Sequence, residues 1–279
     1  GHVTVTYYGT NELDCYADSV TQAVNGANWM GLEEPSLFAD YVGDAAMVIA
    51  PMLYATNEEY NYVMDSEFVA NLIEELKESN IHILDTHYSF GFRSVCSNLD
   101  VYTPEDLHGH QFRATSSALF AKTLECLGAT PVVMGFTDCL AAIQQGVVEG
   151  FEGSVSTLAG AGEPYELVKK VASTNHLIAT RWLFMPEDVW QTIPEKYQKI
   201  IEECAYDCGM WEQTSCQDDE ATQIEMLKEH GVTWNDVDLV AFQEACKPVI
   251  DWIVEEYGST YEAYDQLKGL VAEYRANNA

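Results

Sequence analysis

A chain of 279 residues with 47% hydrophobic content is long enough to bury one or two cores, so two compact lobes fit within it. Its 45 acidic residues against 13 basic ones give a formal charge of −32. Such a field repels phosphate backbones and anionic lipid surfaces, which excludes nucleic acid as a partner.

In chain order, Val3 to Tyr8 alternates β-branched and aromatic residues and predicts a strand. Asp14 to Val24 carries apolar residues at helical spacing, and Trp29 to Leu32 reads as a short strand leading into Glu33-Glu34-Pro35-Ser36. Phe38 to Ala50 is mixed, and Asn57 to Ser79 is amphipathic with Phe68, Leu72, Ile73 and Leu76 on one stripe. Ile81 to Asp85 is a strand that continues into His87-Tyr-Ser-Phe-Gly-Phe-Arg93. Asp106 to Thr157 then reads as one β-α-β-α-β passage. Its strands are Gln111 to Ala114, Pro131 to Val133 and Val148 to Phe151; its helices are Ser117 to Cys126, ended by Gly128, and Phe136 to Gln145, ended by Gly146. Strands in such units aim their carboxyl ends at a common crevice where ligands bind, and Arg113, Phe136 and Gly153 sit at such ends. Val171 to Phe184 includes a further strand, in which alternation lets only one of Arg181 and Trp182 face a ligand. From Pro194 to Glu229 apolar residues recur at about 3.6-residue intervals, predicting one helix of about 54 Å. A short strand at Gly231 to Trp234 and helices from Asp238 and from Tyr261 to Tyr274 close the chain.

Four arginines, Arg93, Arg113, Arg181 and Arg275, stand out among so few bases, and the first three lie in strand or strand-end contexts, where a guanidinium invites an anion. The eight cysteines show neither a Cys-x-x-Cys pair nor zinc-ligand spacing, and whether they form bridges is left open. His108 and His110 make a His-x-His pair with no acidic or thiol cluster beside it, so it reads as a solvated loop and no metal is expected. There is no nucleophile elbow, phosphate loop, His-Glu-x-x-His or dinucleotide fingerprint, and no cofactor is implied. No signal peptide and no apolar run long enough to cross a membrane is present.

The central passage resembles the solute receptors of TRAP transporters. Those receptors carry Leu-Lys-Gly-x-x-Arg, Leu-Gly-Ala-x-Pro, Met-Pro-Phe, Leu-Gln-x-Gly-x-Val-Asp-Gly and Gln-Glu-Asn-Pro. This chain has Leu107-His-Gly-His-Gln-Phe-Arg113, Leu127-Gly-Ala-Thr-Pro131, Met134-Gly-Phe136, Ile143-Gln-Gln-Gly-Val-Val-Glu-Gly150 and Phe151-Glu-Gly-Ser154. Further on, Thr174-Asn-His resembles the family's returning strand and Pro194 to Glu229 its spine helix, so the likeness covers nearly the whole chain. Gly1 to Tyr8 resembles the family's second strand, which implies that about one β-α unit precedes it in relatives.

The resemblance implies an α/β fold of the two-lobe periplasmic-binding-protein type II kind, with hinge strands and a long spine helix. Residues 1–90 and 181–215 are expected in lobe I, residues 91–180 and 216–279 in lobe II, and the spine helix of about 194–229 in both. It implies an extracytoplasmic receptor, with no chemistry of its own, that closes over an organic acid and delivers it to TRAP permease subunits in the membrane. The chain is expected to act as a monomer. The alternative is an enzyme or sensory module on the same scaffold, with Glu33, Glu34, Asp138 and Glu152 as its available carboxylates. Residues expected at the ligand are Arg113, on the family's carboxylate-gripping arginine, Arg93, Phe136, Gly153, Trp29, Glu33, Tyr88, Arg181 and Trp182. Gly153 departs from the family's asparagine; losing that donor and freeing volume, beside so many aromatic residues, leads us to expect a monocarboxylate with an aromatic or apolar body.

Overall fold

The computed structural model describes residues 4–9, 12, 13, 15 and 18–278. Its strands are β1 (Gly31–Glu33), β2 (Ile81–Ser97), β3 (Gln111–Ala114), β4 (Thr130–Val133), β5 (Gly150–Gly153), β6 (Lys170–Pro186) and β7 (Thr233–Asn235). The shorter helices are α1 (Ser19–Val24), α2 (Asp44–Met47), α3 (Asn57–Met64), α4 (Glu67–Glu78), α5 (Ala118–Cys126), α6 (Phe136–Gln144), α7 (Val155–Leu158) and α8 (Glu187–Trp190). Three longer ones follow, α9 (Glu195–Glu229), α10 (Leu239–Tyr257) and α11 (Tyr261–Asn277).

One sheet of order β1-β6-β2-β5-β3-β4 runs through the molecule, with β7 paired to β6. Its centre is the antiparallel pair β2 and β6, each 17 residues long and therefore about 57 Å if fully extended. The register slips at four places, between Ile83 and Asp85, Asp85 and Tyr88, Ser89 and Phe92, and Arg93 and Val95. Bulges bend and twist a ribbon locally, which lets these two strands serve a lobe at each end. At one end they carry β1; at the other they carry β5, β3 and β4, and β3 is parallel to both β4 and β5, as the β-α-β-α-β reading requires.

The boundaries of that passage follow local chemistry. Ser117 caps α5 by accepting from Phe120 N, and Gly128 after α5 and Gly146 after α6 take the left-handed backbone that glycine tolerates, at φ +102° and +70°. Of the expected first strand, Val3 lies outside the described residues, and Thr4 to Tyr8 is not in a strand among the described residues, with Val5 and Tyr7 69% and 87% exposed. Alternation supplies one face, and a strand needs a neighbour to bond to. Of the expected helix from Asp14, residues 14, 16 and 17 lie outside the described set and α1 occupies the rest.

The first core gathers Phe38, Met47, Ile49, Tyr60, Leu76, Ile81, Trp182 and Phe184. The second lobe has two smaller cores, one around Phe112, Leu124 and Leu127 and one around Cys139, Phe151 and Leu227. Leu267 and Val271 of α11 lie in the first core, and α10 serves two cores, with Phe242 and Cys246 in the one around Phe112 and Val249, Ile250 and Ile253 in the first. The first core also takes in Leu119, Phe120, Leu177 and Ile178, so it joins residues from both of the expected lobes.

The spine helix α9, about 53 Å long, buries only Ala205, Gly209, Gln213 and Leu227. At Gly209 a side chain is excluded, because a Cβ would stand 2.4 Å from Asp85 Oδ2 and 3.3 Å from the Tyr88 ring. The bare backbone lets α9 lie against β2, and Tyr88 OH bonds Ala205 O at 3.2 Å to hold it there. All eight cysteines are free thiols. No helix among the described residues is long and apolar enough to cross a membrane.

Candidate functional site

Most of the expected polar residues fall into two groups, which a contact between Ser36 and Ser117 ties together. The first is at the carboxyl ends of β3 and β5. Register opposes Arg113 to Phe151 and Gly153 to Ser94, next to Arg93. Arg113 is buried; its Nε donates to Met134 O at 2.9 Å, and its guanidinium carbon lies 5.5 Å from the Phe136 ring centre. Phe136 in turn meets Phe151 edge to face at 5.2 Å. A planar cation set on an aromatic face with its plane fixed by a carbonyl is pre-oriented for forked contact with a carboxylate or phosphate.

Arg93 is placed differently from its expected role as a direct contact. It is 3% exposed, and its Nε and Nη2 both donate to the Glu152 carboxylate, with Nη2 also reaching Glu152 O at 2.8 Å. Glu152 is fully buried; burial alone would raise its pKa, but the Arg93 charge and hydrogen bonds, with His176 beside it, hold it at about 2. His176 Nε2 stands 3.7 Å from Glu152 Oε2, too far to hydrogen-bond. The pair is a satisfied internal strut that braces the sheet beside Arg113.

Gly153 is also placed differently. The space beside it is filled, since a Cβ there would meet Phe151 and Thr157 at 3.1 Å. The glycine therefore frees no room for a bulky ligand body.

The second group stands at the end of β1 and the middle of β6. The alternation choice falls to Arg181 for the cleft side, because Trp182 is wholly buried, stacks on Phe38 at 5.8 Å and donates Nε1 to Tyr60 OH at 3.1 Å. Arg181 donates Nη1 to Thr180 O at 2.8 Å and lies 5.2 Å from the Phe90 ring centre. Glu33, Glu34 and Glu212 of α9 lie within electrostatic reach of it, as does Arg93. Burial pulls the Arg181 pKa down and pushes those of Glu33, Glu34 and Glu212 up.

Glu33 accepts from Ser19 Oγ at 2.5 Å. Glu34 accepts from Ser36 N and Oγ at 2.9 and 2.7 Å, and Ser36 Oγ meets Ser117 Oγ at 2.8 Å. Since Ser117 follows Arg113 by four residues, this contact ties the loop after β1 to the loop after β3 and brings the two groups together.

Two expected contacts lie elsewhere. Gly31 pairs with Phe184 and Glu33 with Trp182, so Trp29 is at the far end of β1, packed against the first core. Tyr88 is buried against α9. With Trp182, Trp29 and Tyr88 absorbed by packing, the aromatic weight expected around a ligand is largely structural. Among the described residues no group of three or more His, Cys, Asp or Glu is placed to hold a metal ion. A groove of about 650 Å³ between α4 and α11, lined by Phe68, Leu72 and Leu270, contains none of these residues.

Sequence reasoning missed Glu212 and the Ser36–Ser117 tie. Glu212 is one acid among many on a helix whose buried positions are few, so no stripe marks its inward turn.

The family model described as bacterial extracellular solute-binding protein, family 7 (DctP), matches residues 1–257. A solute-binding protein of Chromohalobacter salexigens is 24% identical over 260 residues, covering 92% of this chain and 76% of its own. A TRAP periplasmic solute-binding protein from Desulfovibrio salexigens, solved with diglycerolphosphate, superposes with a TM-score of 0.91 at 33% identity, covering 96% of this chain and 85% of that one. One from Fusobacterium, solved with sn-glycerol-3-phosphate, gives 0.90 at 32% identity, covering 95% and 85%.

Proposed function

Because the chain belongs to the DctP family of extracellular solute-binding proteins, the extracytoplasmic receptors of TRAP transporters, we propose that its cleft holds a small organic anion on the forked guanidinium of Arg113 for delivery to a TRAP permease. The observation that carries this reading is the placement of Arg113 at the carboxyl end of β3, with its guanidinium over the Phe136 ring and its Nε held by the Met134 carbonyl. Similar receptors support the class of solute: those at 30–33% identity were solved with sn-glycerol-3-phosphate, diglycerolphosphate and L-fuconate. Against a net charge of −32 such an anion is held only by local cations, which gives a single buried fork its weight.

Binding proceeds by closure. The anion enters between the lobes, and contacts available only when Arg113 and the Arg181 group approach favour the shut form, since a ligand indifferent to both forms moves nothing. Arg93 acts through the brace it makes with Glu152 rather than by touching the solute. No turnover belongs to this reading: a solute incubated with the protein is recovered unchanged by mass spectrometry.

The test is calorimetry with solutes identified by mass spectrometry after denaturing the purified protein. Losing one partner of a buried charged pair costs roughly 2–5 kcal/mol, so Arg113→Ala weakens binding by about 30-fold to several thousand-fold. Arg113→Lys also binds poorly, because a point charge cannot make the forked contact. Unchanged affinity in both variants would remove Arg113 from the site.

A further inference from the structure

The Arg181 group has an unusual balance of charge. Arg181 donates one hydrogen bond, to a main-chain carbonyl, and among the described residues it ion-pairs with no carboxylate, although three stand within electrostatic reach. Glu212 Oε2 is buried with no hydrogen-bond partner, a state that is costly to leave unmade. Arg93, the other nearby cation, is engaged by Glu152. Among α9, β6 and the loop after β1, a guanidinium with one main-chain partner and a carboxylate oxygen with none therefore stand within electrostatic reach of each other.

The partner that satisfies both is a hydroxyl group. It donates to a carboxylate oxygen and accepts from a guanidinium N–H, whereas an apolar face does neither and leaves both desolvated. A second anionic group is disfavoured, because Glu33, Glu34 and Glu212 surround the one uncommitted charge. A cationic body would meet Arg181 itself. Glu34 is spoken for by Ser36, which leaves Glu33 and Glu212 as the available acceptors.

Resting on the receptor reading above, we propose that Arg181, Glu33 and Glu212 form a second subsite that binds the hydroxyl groups of the solute's body, so that the ligand is a polyhydroxylated anion with its acid group on Arg113. Glu212 thereby makes the spine helix a direct contributor to recognition. This replaces the apolar or aromatic body expected from Gly153.

Matched pairs of probes test it. Calorimetry and thermal shift compare L-galactonate with hexanoate, and sn-glycerol-3-phosphate with propyl phosphate, so that charge and chain length are kept while hydroxyls are removed. At least one hydroxylated member binds the wild-type protein about 100-fold or more tighter than its bare partner. Hydrogen bonds to charged groups set the scale for the variants: Glu212→Gln and Arg181→Gln each lose about 10- to 100-fold for the hydroxylated probe, and lose less for the bare one. Arg113→Ala loses both. Circular dichroism checks folding, and if Arg181→Gln does not fold, Glu212→Gln decides. Equal binding within each pair, or hydroxylated-probe affinity within twofold of wild type in both subsite variants, overturns the subsite. If Arg113→Ala still abolishes binding in that case, the receptor reading stands without it. No binding of any of the four probes overturns the proposed class of solute. Loss in the subsite variants with Arg113→Ala unaffected supports the subsite and overturns the Arg113 clamp.

Discussion

Replacing Arg93 by alanine tests whether the strut beneath the cleft holds as described. Glu152 is 0% exposed and Arg93 3%, so the substitution strands a carboxylate where water cannot reach it. Breaking a buried pair on one side costs about 3–5 kcal/mol, which for a chain of this size lowers Tm by roughly 6–20 °C. The pH dependence changes as well. In the wild-type protein Glu152 sits at about 2 against an ordinary 4.5. A depressed carboxyl adds stability above the ordinary value and loses it as pH falls toward 2, a contribution of about 3 kcal/mol. Without Arg93, burial raises the carboxyl against the pull of His176 alone, so its pKa rises from about 2. Arg93→Ala then loses less stability on acidification from neutrality than the wild type does. Urea unfolding from pH 7 to pH 3, followed by circular dichroism, measures both slopes. The paired substitution Arg93→Met with Glu152→Met recovers most of the loss, since no lone charge is left. A Tm within about 2 °C of wild type for Arg93→Ala, together with an unchanged acid limb, would refute the strut.

Trp182→Ala costs about 3–5 kcal/mol in urea denaturation, as expected for a large core aromatic, and leaves the ranking of bound solutes unaltered; a changed ranking would return Trp182 to the cleft. Gly209→Ala forces a Cβ to within 2.4 Å of Asp85 Oδ2 and destabilises by about 1–3 kcal/mol, so an equally stable variant would mean that α9 does not lie so close to β2. His87 is lowered by its burial but raised more strongly by Asp85 and Asp65, so it titrates above 6.5 in an NMR titration. Its contribution to stability is complete below 6.5 and disappears as pH rises through the elevated value; His87→Gln removes that slope.

The passage from β3 to β5 was legible because its boundaries carry local chemistry, namely the Ser117 cap and the left-handed glycines at 128 and 146. The length of α9 was legible from its spacing. The continuity of β2 was harder, since four slips of register interrupt the alternation that marks a strand. The strand-end position of Arg113 was readable from the sequence, but the partner of Arg93 was not. Glu152 lies 59 residues away and is brought opposite only by the pairing of β2 with β5. Trp182 and Arg181 are neighbours of opposite character, and alternation says that they part without saying which way. The crowding at Gly153 depends on Phe151 and Thr157 turning toward it, which no spacing records. The return of α11 to the first core likewise depends on the path of α10.

That path has a mechanical consequence. Helix α10 leaves the core of one lobe after Cys246 and joins the other at Val249, and Pro248 stands between them. Proline has no N–H to offer the Glu244 carbonyl and its ring crowds that oxygen, so the rod lacks one of its fastenings at the seam. If the two cores shift against each other, the rod would yield first at this turn, where it lacks a hydrogen bond, and the packed faces on either side would be spared from sliding.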